Sequence, residues 1–432
     1  MSDITANLLE TQKSNEPPEQ QSLAARSTGV TKLWRLLEFC YVPLATVCLV
    51  LGFTHWFRGS ETFNPLQAAQ NSRLRFQTGG ESSYADAGLS PPEVALAEQT
   101  LDKDFVADGK HTELLYLGNS QTLSIMDPMP GDMITPQWLQ VYLARNASPG
   151  ARPFRVNLGS LPNLTMPEAM IKLVAAGESS PRQVDVVLLS AVLEEFRGLS
   201  IRDEIAAVAK TPAVKSHLMS LANANSDLTT VHSSLEPVLG SGPAANVPVS
   251  DSRTAEAQAI ESYLQRHVEK LPLFADRDSF QGQILLAYHE SRNRLLGITS
   301  ASARPVPDAA YRATMELIEL ALRYAAAKNI PVVVYLAPIR PVQPNPNLPA
   351  DVARFRHDLP LLCHKYKTTC LDYVDVVPAA LWTNYTESAA GTEGQRDYAH
   401  FTGAAHRLVA EKLMTDMSAT IKSAADNGQT SR

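Results

Sequence analysis

Several features that commonly announce a function are scarce or missing in this 432-residue chain. There is no basic stripe: 38 Lys and Arg are scattered singly against 45 Asp and Glu, for a net charge of −7. A nucleic-acid binder carries clustered positive charge along one face, so nucleic acid is not an expected partner. No phosphate-cradling Gly-rich loop occurs, and no repeat of fixed period runs along the chain. Cysteine is limited to four residues. Cys40 and Cys48 fall inside one apolar segment, while Cys363 and Cys370 flank HKYKTT at an expected helix–strand junction. Their spacing fits no zinc site. In an oxidising compartment Cys363 and Cys370 can close a small-loop disulfide; otherwise they are two free thiols. Neither a metal nor a cofactor is expected.

Long apolar runs are missing too, with one exception. Leu36–Phe57 reads LLEFCYVPLATVCLVLGFTHWF, with Glu38 and His55 near its ends. That length matches the roughly 20 residues needed to cross a hydrocarbon core. Trp34, Tyr41, Trp56 and Phe57 sit near its two ends, where aromatics favour the headgroup region. The mostly polar stretch before it argues against a cleaved signal peptide. Arg26, Lys32 and Arg35 precede the span and Arg58 follows, so the positive-inside rule puts the N-terminus in the cytoplasm and the body outside. The expectation is a single-pass protein with the bilayer as one partner.

What is present in quantity is core-forming residues: 44% of the chain is hydrophobic and 19% charged. Residues 1–35 read as a disordered cytoplasmic tail, 36–57 as the anchor, and 58–112 as a linker with one helix, Pro92–Leu101. From 113 to 418 the pattern alternates between short apolar runs and helical periodicity. The runs are Leu114–Leu117, Phe154–Leu158, Val184–Leu189, Pro331–Leu336 and Thr369–Val374. Their lack of polar alternation predicts strands covered on both faces. Helices are predicted over Met166–Ala176, Ala309–Lys328, Ala350–Tyr366 and Ala404–Met417. This alternation predicts an α/β fold with a doubly wound parallel sheet. Residues 199–307 break the rhythm, with helical stretches Ile201–Ala209, Ala255–Leu271 and Asp278–Leu296 and no strand run. They read as a helical insertion that could cap a site. Residues 419–432 read as a flexible tail.

Chemistry-bearing residues fall at two places in this pattern. Ser120 ends the first core run, where ligands bind open α/β sheets, at the carboxyl ends of strands. His400 precedes the last helix, with Asp397 three residues before it. A serine needs an adjacent base to act as a nucleophile, and a carboxylate on the other imidazole nitrogen fixes the tautomer of that base. The bland reading is that Gly118-Asn119-Ser120 is a turn and Asp397 a turn starter or helix cap. Glu194 and Glu195 read as surface charge, His406 as a structural histidine, and Arg340 as a solvated loop residue.

In order and context these segments resemble the SGNH (GDSL-like) hydrolase superfamily. The matching blocks are Gly118-Asn119-Ser120, Asn157-Leu158-Gly159 and Asp397-Tyr398-Ala399-His400. The resemblance covers about 113–418 and implies a flavodoxin-like sheet. It also implies a Ser120/His400/Asp397 triad and an oxyanion donor at Gly159. Two departures stand out: Asn119 replaces the usual Asp, and LLSAVLEE after the third run has no oxyanion Asn, leaving Ser190 as its substitute. Anchor and missing block together resemble the membrane-anchored relatives of alginate O-acetylation proteins and of the D-alanyl transfer protein of teichoic acid modification. That implies acyl transfer or ester hydrolysis on an envelope polysaccharide, with an acylated glycan or acyl donor as ligand and a multi-spanning O-acyltransferase as partner. The alternative is a non-catalytic SGNH-like module that binds glycan or scaffolds such an acyltransferase.

Overall fold

In the computed structural model, which describes residues 89–100, 109–125, 129, 131–147, 149–178, 184–240, 293, 295–384 and 395–430, the five apolar runs form one five-stranded parallel sheet. Its strands are β1 (Thr112–Leu117), β2 (Phe154–Leu158), β3 (Val186–Ala191), β4 (Val332–Leu336) and β5 (Thr369–Asp372). Three strand ends fall inside the expected runs: β3 and β4 begin later, at Val186 and Val332, and β5 ends earlier, at Asp372. Asp185 precedes β3 and uses its carboxylate to accept the Glu113 N–H at 2.8 Å. Asp372 ends β5 by accepting the Val374 N–H on its own side chain at 3.1 Å, a turn-forming bond.

The spatial order is β2-β1-β3-β4-β5. Register is fixed by parallel pairs such as Glu113↔Arg155 and Leu117↔Leu189. At the first of these, the Arg155 guanidinium closes on the buried Glu113 carboxylate at 2.9 and 2.5 Å. Successive side chains along a strand point to opposite faces, and the core divides accordingly. Leu115, Leu117, Val187, Leu189, Val334 and Leu336 pack into one apolar cluster. Leu114, Tyr116, Val186, Leu188, Val333 and Tyr335 pack into another on the opposite face.

Helices supply both covers. The first cluster takes residues from α4 (Met166–Glu178), α8 (Asp308–Ala327) and α9 (Pro349–Lys365). The second takes them from α3 (Thr135–Arg145), α10 (Gly403–Asp416) and α11 (Ser418–Thr430). On α8 the expected stripe holds for Tyr311, Ile318, Leu322 and Ala325, with Met315 part-buried beside it. Ahead of the sheet stands α1 (Pro91–Gln99), and a one-turn helix, α2 (Ser120–Leu123), follows β1 directly.

Between β3 and β4 the described chain is helical: α5 (Asp203–Ala209), α6 (Pro212–Ala224) and α7 (Val231–Leu239). Val214, Leu218, Val231 and Leu235 join these helices to the first core cluster, so this part of the insertion is integral to the fold. Ala255–Leu271 and most of Asp278–Leu296 lie outside the described residues.

The Asp397/His400 block lies in β7 (Arg396–Phe401), which pairs antiparallel with β6 (Trp382–Asn384) in a separate two-stranded sheet. One expectation near the C-terminus is corrected. Residues 418–430 are not a flexible tail but α11, because Ile421 and Ala424, with Met417 just before it, give that polar segment an apolar stripe buried in the second cluster. Cys363 and Cys370 are free thiols. The Cys363 thiol beside it and burial both push the Cys370 thiol far up. Among the described residues no helix is long and apolar enough to cross a membrane; Leu36–Phe57 lies outside them.

Candidate active site

The chain leaves the fully buried β1 through Gly118, Asn119 and Ser120. Glycine is required at 118: a Cβ there would lie 2.3 Å from Thr122 Oγ1 and 3.1 Å from Ser190 Cβ. Asn119 then caps α2, its Oδ1 accepting the Gln121 N–H at 2.9 Å. Gln121 in turn donates from Nε2 to the Pro338 carbonyl beyond β4 at 3.0 Å. These bonds hold Ser120 at the first position of α2, part-exposed, where its N–H has no intrahelical acceptor.

The second half of the site comes from β7. Asp397 is completely buried and each of its carboxylate oxygens is engaged. Oδ1 accepts the backbone N–H groups of Ala399 (2.7 Å) and His400 (3.0 Å). Oδ2 meets His400 Nδ1 at 2.8 Å and the Thr383 hydroxyl at 3.5 Å. The strand is pinned from outside as well: Arg340 donates from Nη1 to the Thr383 and Asp397 carbonyls, both at 2.7 Å. Arg340 is therefore no solvated loop residue. It is buried beneath the hairpin, and burial lowers its pKa. With Nδ1 held by Asp397, Nε2 is the imidazole nitrogen left for other chemistry. The His400 side chain keeps 15% exposure while Asp397 keeps none.

Ser120 and His400 line one pocket of about 530 Å³, a usual size for a small-ligand site. No hydrogen bond joins Ser120 Oγ to His400 Nε2; what they share is the pocket. The turn after β2 contributes Asn163, with φ +52°, the left-handed conformation that Asn adopts more readily than most residues. The segment after β3 contributes Glu194 and Glu195, and the two ends of the insertion contribute Ser200, Ser300 and Arg304. The pocket thus sits over the carboxyl ends of β1, β2 and β3, where the strand order reverses.

Gly159 and Ser190 do not reach the pocket wall. The Gly159 N–H donates to the Tyr116 carbonyl at 2.9 Å, and a Cβ there would come within 2.7 Å of Leu117 Cδ2. It is a glycine of close packing, with its N–H already taken. Ser190 is sealed in β3 under the Gly118 turn, its Oγ without a hydrogen-bond partner among the described residues. His406 is fully buried, and burial drives its pKa down to about 3. Its Nδ1 accepts from the Thr135 N–H (3.1 Å) and its Nε2 meets the Ser124 carbonyl at 3.3 Å, which fastens the exit of α2 to α10.

Neither glutamate is simple surface charge. Glu194 faces Arg197 at 3.4 Å. Glu195 lines the pocket, but its Oε1 is sealed off with no partner among the described residues, and burial pushes its carboxyl well above the usual range. Asn163, Arg304 and Ser300 carried no sequence signal, since each reaches the pocket from an irregular segment. No protein-family model matches the chain, and no match was found among curated proteins.

Proposed function

We propose that the chain is a serine acyl esterase or O-acyltransferase of the SGNH type, anchored by Leu36–Phe57 and acting outside the membrane on an acylated envelope polysaccharide. The observation that carries this reading is His400, tied to a buried carboxylate through Nδ1 and sharing a pocket with a serine at a strand's carboxyl end. In the proposed cycle His400 Nε2 takes the Ser120 hydroxyl proton as Oγ bonds to the ester carbon. The tetrahedral adduct collapses, the C–O bond to the alcohol breaks, and His400 returns the proton to that leaving oxygen. A sugar hydroxyl or water then takes the acyl group by the same steps in reverse. On this reading a multi-spanning O-acyltransferase is the natural partner.

The Gly159 N–H already bonded to Tyr116 and the missing Ser120–His400 hydrogen bond favour the other reading, a glycan-binding or scaffold module. The two part on turnover. Full-length protein in detergent is mixed with an activated acetyl ester beside Ser120→Ala. The catalytic reading expects release that depends on Ser120; equal rates remove it.

A further inference from the structure

Glu195 stands at an unusual place for a carboxyl group. It belongs to the 3-10 turn Leu193–Arg197, which Val192 alone separates from the carboxyl end of β3. In the sheet β3 lies directly beside β1, whose carboxyl end leads to Ser120. Both residues line the same pocket.

The nearby charges are committed elsewhere or repel it. Arg197 on the same turn takes Glu194 (3.4 Å), the Arg304 carbonyl (3.0 Å) and Asn347 (2.7 Å). Glu168 on α4 is closed on by Arg202 at 2.7 Å. From β4 comes the Tyr335 phenol, buried and bonded to Tyr116 at 2.7 Å. Arg304 and His400 stand elsewhere in the pocket wall, and neither forms an ion pair with Glu195. Among the described residues Glu195 is thus a carboxyl group with no cation paired to it and one oxygen sealed without a partner.

We propose that the Glu195 carboxyl group donates the side-chain hydrogen bond that stabilises the acyl oxygen during attack by Ser120. This rests on the catalytic reading of the pocket. Burial, reinforced by Glu194 and Glu168, raises the Glu195 carboxyl well above the ordinary range, which favours its protonated form. A protonated carboxyl has one O–H donor, and a carboxylic acid kept neutral by its surroundings can serve as an oxyanion donor. The proton stays on Glu195 throughout; the hydrogen bond strengthens as the carbonyl oxygen gains charge and relaxes when the adduct collapses. The role fills the gap left by Gly159, whose N–H is bonded to Tyr116, and by Ser190, which is sealed in the sheet.

The test compares full-length wild type, Glu195→Gln, Glu195→Ala and Ser120→Ala on an activated acetyl ester, with a thermal melt of each. Glutamine keeps an N–H donor in the same shape; alanine does not. The expected result is a kcat loss of about 10²–10³ for Glu195→Ala with KM little changed, and less than about tenfold for Glu195→Gln. Wild-type kcat should also fall at alkaline pH as Glu195 ionises, a limb that Glu195→Gln lacks. Infrared spectra of wild type near pH 7 should show a protonated-carboxyl band that Glu195→Gln loses, a readout that needs no turnover. Wild-type kcat in Glu195→Ala, an equal loss in Glu195→Gln, or an ionised Glu195 at pH 7 overturns the proposal while leaving Ser120 chemistry standing. Turnover that survives Ser120→Ala removes the catalytic reading and the Glu195 role together.

Discussion

Asp397 Oδ2 lies 2.8 Å from His400 Nδ1 while Asp397 Oδ1 accepts two backbone N–H groups of the same strand. One buried carboxylate therefore sets both the local path of β7 and the orientation of the imidazole. Such an arrangement favours the tautomer with its proton on Nδ1 and its lone pair on Nε2.

Replacing Asp397 by Asn tests that assignment. The amide oxygen can keep the bonds to Ala399 and His400, but its NH₂ would face Nδ1 and favour the opposite tautomer. Activity toward an activated ester should fall by about 10⁴, with the melting temperature reduced far less than in Asp397→Ala. Unchanged kcat in Asp397→Asn would make the pair structural.

Arg340→Ala should damage both stability and activity. Its Nη1 serves the Thr383 and Asp397 carbonyls at 2.7 Å, and removal strands both under the hairpin. Hydrogen bonds from a charged donor are worth roughly 1.5–3 kcal/mol, so a loss of that order or more is expected in urea unfolding. Lysine should restore part of it, because an ammonium also carries enough N–H donors for both carbonyls.

Gly159→Ala separates packing from catalysis. The added methyl would approach Leu117 Cδ2 to 2.7 Å and Leu115 Cδ1 to 3.0 Å, both buried side chains of β1. Overpacking of this kind costs about 1–3 kcal/mol. The expected signature is a lower unfolding midpoint with kcat per folded molecule close to wild type. A large selective loss of kcat would reinstate a direct role at Gly159.

His406 makes the fold acid-sensitive. Its folded pKa is down at about 3 because of burial, against about 6.5 in an unfolded chain. Above pH 6.5 both states are neutral and His406 adds no pH dependence. Between 6.5 and 3 the unfolded state binds the extra proton, so stability declines by about 1.4 kcal/mol per pH unit from this group. His406→Asn should be less stable at pH 8 but show a shallower decline, by one proton, in urea titrations from pH 6.5 downward. An unchanged slope would contradict this account.

Much of the fold was legible because runs such as VDVVLL and IPVVVYL have no polar face and admit only strands covered on both sides. The order Ser120, then Asp397 and His400, was legible as a pattern, but not as geometry. Arg396–Phe401 reads RDYAHF, too short and polar to announce a strand, and its partner β6 is only the three residues Trp382–Asn384. The burial of Arg340 and the part-burial of Glu195 were hidden for a general reason: charged side chains are buried only where specific neighbours permit it, and those neighbours are distant in sequence. A role for Gly159 was not legible because a glycine after a strand serves an oxyanion or a tight packing contact equally well; in the structure its N–H donates to the Tyr116 carbonyl.

The most direct measurement is the site of covalent capture by a fluorophosphonate. Full-length protein is treated with the probe, digested and mapped by mass spectrometry, alongside Ser120→Ala and His400→Ala. The account predicts one phosphonyl group on the Ser120 peptide, absent in Ser120→Ala and strongly slowed in His400→Ala. Failure of folded wild type to react, or an adduct elsewhere that persists in Ser120→Ala, would contradict it.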